Sequence, residues 1–344
     1  MLPFALLAFA VLAAQAPLAA MSSQPSFDDL NRIMRSFQES RLLLSAVELD
    51  VFSAVGDGAT AAQTATRLKT NPRATETFLN ALVAIGALTK DGATFRNTPD
   101  TAKYLVAGSP DDARAALLHT VHGWTAWSTL TDAIRAGTAV ATPGVEASDE
   151  KWTASFIAAM HRNASTAAHA LAGTLDARQV RRMLDVGGGS GAYSIAFAQA
   201  HPGLRAEVLD LPPVLRIAQR HIAEAGLEAR VTTRAGDLTR DDFGRDYDLI
   251  LLSAICHMLD EVQNRDLFRR AYLALAPGGR LVVRDFILDE DKTAPRGAAI
   301  FAVHMLVQTR AGATYSESEY RAWLNAAGFE NIERRGGDLL IATR

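Results

Sequence analysis

Met183-Leu184-Asp185-Val186-Gly187-Gly188-Gly189-Ser190-Gly191 is the stretch that decides the fold. Four residues that read as a strand run into a turn of four glycines and a serine, and Ala192 to Ala200 then reads as a helix. Downstream the same texture repeats. Ala206–Leu209, Val231–Ala235, Leu249–Ser253 and Leu281–Asp285 are short apolar runs separated by helical stretches. Strands alternating with helices imply an α/β domain with a doubly wound, Rossmann-like parallel sheet that binds ligands at the carboxyl ends of its strands. Two further strands, Asn331–Arg335 and Leu339–Thr343, flank Gly336-Gly337, and this hairpin makes the last strand antiparallel to its neighbour.

The chain ahead of this region reads differently. Leu42, Leu43, Ala46, Val47, Leu49 and Phe52 recur at helical spacing up to Gly56 and Gly58, and Thr60–Leu68 predicts a second helix. A third begins at Asn71-Pro72, buries Phe78, Leu79, Leu82, Val83 and Ile85, and ends at Gly86. Leu88 to Thr98, with Asp91-Gly92 at its turn, predicts a hairpin, so residues 21–118 have a winged-helix outline. Residues 119–344 form the second domain, opened by a helical connector, His119 to Thr174, with a loop at Thr142-Pro143-Gly144. In the connector Trp124, Trp127, Leu130 and Ile134 define one face, and Phe156, Ile157, Met160, Asn163 and Ala164 another.

Composition narrows the function. The 344 residues carry 35 basic and 38 acidic side chains and a single cysteine, which excludes an internal disulfide framework and a multi-cysteine zinc site. A winged helix raises DNA binding as a rival, but residues 21–118 hold 10 Lys plus Arg against 11 Asp plus Glu. A DNA reader needs a basic face, so this part is read as a packing or dimerisation domain with no nucleic-acid partner. Residues 1–20 lack any charged side chain, and only Pro3, Gln15 and Pro17 are not apolar. No Lys or Arg precedes that run and Pro17 follows the Ala14-Gln15-Ala16 pattern, so an upstream extension is favoured over a signal peptide. It is also a weak transmembrane candidate. The expected compartment is the cytoplasm, with export as the alternative.

The ligand is read from acids at successive strand ends. Gly187, Gly189 and Ala192 also satisfy a dinucleotide pattern, so the turn alone is ambiguous. Asp210 ends the second strand, where a carboxylate can take both ribose hydroxyls. Gly236-Asp237 ends the third, where an acid can accept from an adenine amino group, and Asp185 leads into the turn. An acid-lined site without Lys or Arg in its turn suits a nucleoside carrying a sulfonium and an ammonium better than a pyrophosphate.

The ordered series Leu184–Gly191, Asp210-Leu211-Pro212, Gly236-Asp237-Leu238, Ile255-Cys256-His257, Ala276-Pro277-Gly278-Gly279 and Ala326-Ala327-Gly328-Phe329 resembles class I S-adenosylmethionine-dependent O-methyltransferases. The resemblance is to the caffeate and acetylserotonin branch and covers nearly everything after Met21. It implies a seven-stranded methyltransferase sheet, S-adenosylmethionine as cofactor, no metal, homodimerisation through the front domain, and a small, aromatic acceptor. It further implies that Asp185, Gly187, Gly189, Gly191, Asp210, Leu211, Asp237, Leu238 and Ser253 serve the cofactor. His257 falls at the position of the general base, Asp285 at that of its orienting acid, and Met160, Asn163, Met305 and Thr309 at positions lining the acceptor pocket.

Chemistry supports the histidine independently. A sulfonium methyl is already activated, so an enzyme must align the nucleophile and remove its proton. A phenol ionises near ~10 and an imidazole near ~6.5, so a histidine can assist at neutral pH. The other seven histidines are read as structural, with His161 and His304 nearest the pocket, and Cys256 as buried packing. Three departures from the family pattern stand out: Met258 replaces an Asp, Ala313-Thr314-Tyr315 occupies the place of a second orienting acid, and Ser253 replaces a Lys of plant members. The first two keep C- or N-methylation open, and a winged-helix regulator that senses the cofactor is the non-enzyme alternative.

Overall fold

The computed structural model describes residues 24–140 and 150–344, without the side chains of 150–156, 158 and 163. The apolar leader, the loop at Thr142-Pro143-Gly144 and the side chains of Phe156 and Asn163 lie outside the described residues. Contacts divide the chain into two compact units, with the boundary between Trp124 and Thr125.

The first unit is built on capped helices. Ser26 caps α1 (Phe27–Arg35), and Thr60 caps α4 (Ala61–Leu68) through a reciprocal bond with Gln63. The predicted run through Phe52 is broken into α2 (Phe37–Glu48) and α3 (Val51–Val55) by Asp50 in the left-handed region. Asparagine and aspartate tolerate that conformation better than other side chains, so the periodicity continues while the axis does not. Asn71 caps α5 (Pro72–Ala84). The hairpin is present as β2 (Leu88–Asp91) and β3 (Thr94–Asn97), and Ala59-Thr60 (β1) adds a third strand opposite Thr94-Phe95, too short to be read from sequence. Ala46, Val51, Phe52, Val55, Leu79, Leu82, Leu88 and Phe95 form the core. α1 buries nothing: Phe27 is 76% and Met34 61% exposed, and Phe37 at the start of α2 is 54% exposed. In the second unit Ile134, expected to pack, is 64% exposed, because α8 (Leu130–Ala136) turns Ala133 inward instead.

The second unit contains a seven-stranded sheet. Its strands are β4 (Arg182–Val186), β5 (Arg205–Asp210), β6 (Val231–Ala235), β7 (Tyr247–Ser253), β8 (Leu275–Arg284), β11 (Glu330–Arg335) and β12 (Leu339–Thr343), in the order β11-β12-β8-β7-β4-β5-β6. β4, β5, β6, β7 and β8 run parallel, whereas β12 is antiparallel to both of its neighbours. Side chains alternate across the sheet. Leu184, Val186, Ile250, Leu252, Leu281 and Val283 fill one layer, and Met183, Val208, Leu249, Leu251 and Val282 the other. After β4 the chain steps outward through β5 and β6, then returns to the other side of β4 as β7. The crevice at the carboxyl ends of β4 and β7 is therefore a topological switch point, where doubly wound sheets bind ligands.

Candidate active site

The glycine turn leaves β4 at this switch point and enters α10 (Ala192–Ala200). Gly187 donates its N–H to the Leu209 carbonyl at 2.7 Å, which pins the turn to β5. Gly188 is needed for space: a Cβ there would lie 2.7 Å from Asp185 Cγ and 2.9 Å from Val208 Cγ1. Gly189 is needed for its backbone, with φ +58°, and its Cβ position faces open space. Its N–H donates to Asp210 Oδ2 at 2.8 Å, while Leu211 N–H donates to Oδ1 at 2.7 Å. Asp210 thus shapes the turn and presents the rest of its carboxylate beside it, a cradle that fits a ribose diol. Burial pushes the Asp210 carboxyl up to about 6.

The other acids are placed differently. Asp185 is fully buried behind Gly188 and accepts from Ser194 Oγ at 2.9 Å; burial, with the Asp210 charge adding, pushes it up to about 7. The Asp237 carboxylate accepts from the Thr239 N–H at 2.9 Å and its hydroxyl at 2.7 Å, and pairs with Arg240 at 3.1 Å. Leu238 is buried against the turn, with Cδ2 3.2 Å from the Cβ position of Gly187. Ser253 ends β7 opposite Arg284.

Past β7, Ala254 takes φ +57° and turns the chain so that Cys256, His257 and Met258 form one 3₁₀ turn. His257 and Asp285 are both fully buried. His257 Nδ1–H donates to Asp285 Oδ1 at 2.5 Å, the His257 backbone N–H donates to Oδ2 at 3.2 Å, and Phe286 N–H donates to Oδ1 at 2.8 Å. The imidazole meets Phe301 and Phe286 edge to face, with centroids 4.9 and 5.6 Å away, and these two rings stack on each other at 3.7 Å. Burial raises the neighbouring Cys256 thiol far above its usual range, the Asp285 charge adding to it; the group is inert packing.

Of the residues expected around the acceptor, Met305 is buried with Phe286 and Phe301, and Met258 packs on the same cluster. Met160 packs on the small cluster of Ile157 and Val214, against which Leu211 also packs. Thr309 is a capping residue: its hydroxyl donates to the Met305 carbonyl and accepts from Gly312 N–H, both at 2.8 Å. Gly312 closes the site from that side, since a Cβ there would lie 2.6 Å from the His257 carbonyl oxygen. Sequence reading missed the aromatic wall, although Phe301 stands one helical turn before Met305 in α13 (Arg296–Gln308). It also missed the bond from Trp127 Nε1 to His304 Nδ1 at 2.9 Å, which joins residues 177 positions apart.

A mostly parallel sheet with a glycine turn and strand-end acids at its switch point, next to a histidine–aspartate pair in an aromatic wall, fits a nucleoside-cofactor enzyme of the methyltransferase type. The chain belongs to the O-methyltransferase family: residues 127–330 match its O-methyltransferase domain and residues 31–107 its dimerisation domain. It is 36% identical over 303 residues to 3-hydroxy-5-methyl-1-naphthoate 3-O-methyltransferase of Streptomyces sahachiroi, covering 86% of this chain and 87% of that protein. It is 32% identical to the N,N-dimethyltransferase OxyT of Streptomyces rimosus, covering 94% and 97%. Among solved structures, human N-acetylserotonin methyltransferase in complex with SAM superposes with a TM-score of 0.80 at 26% identity, over 94% of this chain and 99% of that one. The protein is an S-adenosylmethionine-dependent O-methyltransferase. Among the described residues no helix is long and apolar enough to cross a membrane.

Proposed function

We propose that this enzyme methylates a hydroxyl on a flat aromatic acceptor with His257 as general base and Asp285 as its orienting acid. The observation that carries the reading is the 2.5 Å bond from His257 Nδ1 to Asp285 within a wall of stacked aromatic rings. With Nδ1 engaged by Asp285, Nε2 is the ring nitrogen that takes the acceptor's proton. The imidazolium so formed lies against the Asp285 carboxylate, and the Phe286–Phe301 stack supports an aromatic ring as the group held beside it.

Asp210 would hold the ribose of S-adenosylmethionine, the Gly187–Gly191 turn would let its amino-acid end approach the backbone, and Leu238 with Asp237 would flank the adenine. The cofactor supplies a methyl on a sulfonium, so the chain's tasks are alignment and proton removal. The relative from Streptomyces sahachiroi, whose name specifies a hydroxynaphthoate, supports a fused aromatic acceptor. Homodimerisation through the first unit is supported by the dimerisation-domain match and by the exposed apolar face of Phe27, Leu30, Met34 and Phe37. The test is a panel of phenols, polyketides and indoles with labelled cofactor, run in parallel with His257→Ala. Labelled phenolic ethers from the native enzyme, lost at least a hundredfold in the variant, are expected. Full turnover by the variant would remove the base assignment. Labelled product only from amines would move the reading to N-methylation, the activity named for OxyT.

A further inference from the structure

Within Gly187–Gly191 only Ser190 carries a side chain, so it offers the one side-chain handle by which the surrounding protein can hold the turn. Ser190 is buried, and its Oγ lies 3.0 Å from Nδ1 of His161. His161 projects from α9 (Glu150–Thr174), the long helix packed against α10, the helix that follows the turn. Its ring lies face to face with His221 of α11 (Pro212–Glu224), centroids 4.0 Å apart and planes 6° from parallel. Behind the pair, Glu224 Oε2 is 3.3 Å from His221 Nδ1.

We propose that His161 is a positioning residue of the cofactor site: its Nδ1 holds the Ser190 hydroxyl, the stacked His221 fixes the plane of the imidazole, and the glycine turn is thereby kept in its cofactor-ready shape. The proposal rests on the reading of Gly187–Gly191 as the S-adenosylmethionine turn. Gly189 and Gly191 both have positive φ, and a glycine-rich backbone left to itself samples many alternatives. Binding then carries the cost of ordering it. A side-chain tie made before the cofactor arrives removes part of that cost. The same helix reaches the other side of the site, because its Ile157 and Met160 share a cluster with Val214 and with Leu211, the residue after Asp210. Burial, then the neighbouring His221, holds His161 down to about 4 against the opposing pull of Glu224, so the ring is neutral at physiological pH. A neutral imidazole exchanges a hydrogen bond with a hydroxyl without bringing a second positive charge toward the cofactor's sulfonium.

The test uses the full-length enzyme and S-adenosylhomocysteine, the demethylated cofactor, titrated by calorimetry. His161→Phe keeps a ring on His221 and removes the bond, whereas His161→Asn returns a polar atom near the position of Nδ1. One hydrogen bond of ordinary net strength corresponds to about 3- to 10-fold in affinity. His161→Phe is expected to weaken binding by that factor and to raise KM for S-adenosylmethionine equally, with kcat at saturating cofactor within about twofold. His161→Asn is expected to restore affinity to within about twofold. Ser190→Ala should reproduce the loss, and the double variant His161→Phe/Ser190→Ala should be no worse than either single one; the serine variant also carries the test if the phenylalanine variant does not fold. Unchanged affinity in both single variants, or a loss in His161→Asn as large as in His161→Phe, would overturn the proposal. If the native enzyme itself fails to bind S-adenosylhomocysteine, the turn assignment falls, and this proposal with it.

Discussion

Asp285 grips both ends of one residue: its Oδ1 accepts from the His257 ring at 2.5 Å and its Oδ2 from the His257 backbone N–H at 3.2 Å. Ring orientation and main-chain position are therefore set by a single carboxylate. Asp285→Asn offers an amide that can turn either its oxygen or its NH₂ toward Nδ1. The second choice makes Nδ1 an acceptor, moves the proton to Nε2 and blocks base catalysis. The expected outcome is a fall in kcat of about 10²-fold or more, with cofactor affinity preserved. His257→Ala and the double variant should be no worse than about the larger single effect, since the two residues act as a unit. Steady-state kinetics on one accepted phenol, with calorimetric cofactor binding, checks this.

Asp185 predicts a pH dependence of stability. Its carboxyl is raised from an ordinary 3.8 to about 7 in the folded protein, chiefly by burial. Between these values the unfolded chain has released the proton that the folded chain retains, so stability falls as pH rises through this window and levels off above about 7. Asp185→Asn removes the titration while keeping an oxygen for the Ser194 hydroxyl. Denaturant unfolding of the cofactor-free protein should show the variant gaining on the native enzyme from pH 4 to 8, by on the order of 3 kcal/mol at the plateau. Parallel pH profiles for the two proteins would contradict the assignment.

The glycines of the turn should fail in different ways. An alanine at 188 drives its methyl into Asp185 and Val208, so Gly188→Ala should lower thermal stability by about 1–3 kcal/mol even without cofactor. Gly189→Ala meets no neighbour and strains only its own φ of +58°. It should cost about 1 kcal/mol of stability while weakening cofactor binding, because the adjacent open space is where the ligand is expected. Melting curves with and without S-adenosylhomocysteine separate the two patterns.

The apolar face of α1 and α2 is testable by charge. Met34→Asp with Phe37→Asp places two carboxylates where Met34 is 61% and Phe37 54% exposed. Sedimentation should shift from dimer to monomer while the circular dichroism of the first unit is retained. A native enzyme that sediments as a monomer at micromolar concentration would remove this role for the face.

Much of this architecture is written locally. Most strands of the large sheet were legible as short apolar runs; β11, with Ile332 as its single apolar residue, was legible from the Gly336-Gly337 turn beside it, and β8 begins six residues ahead of the expected Leu281. The caps at Thr60 and Asn71 announce their helices within four residues. The glycine turn and the strand-end acids were legible for the same reason, since strand ends and function coincide at the switch point. What stayed hidden depends on distant partners. Ser194 beneath Asp185, the aromatic wall around His257, Trp127 on His304, and the His161–His221 stack each join elements that no local pattern links. The Asp50 break was hidden for another reason: helical periodicity continues across it, and one left-handed residue leaves no mark in an apolar pattern.

The complete burial of His257 and Asp285 also bears on which nucleophile wins. Water is the most abundant competitor for an activated methyl group, and a solvated base would serve it as readily as the intended hydroxyl. A ring shut behind Phe286 and Phe301 has no bulk solvent to activate. In the base role proposed for it, the ring takes a proton only from a molecule seated against this wall, and the wall that keeps the ring dry also keeps water from the methyl donor between turnovers.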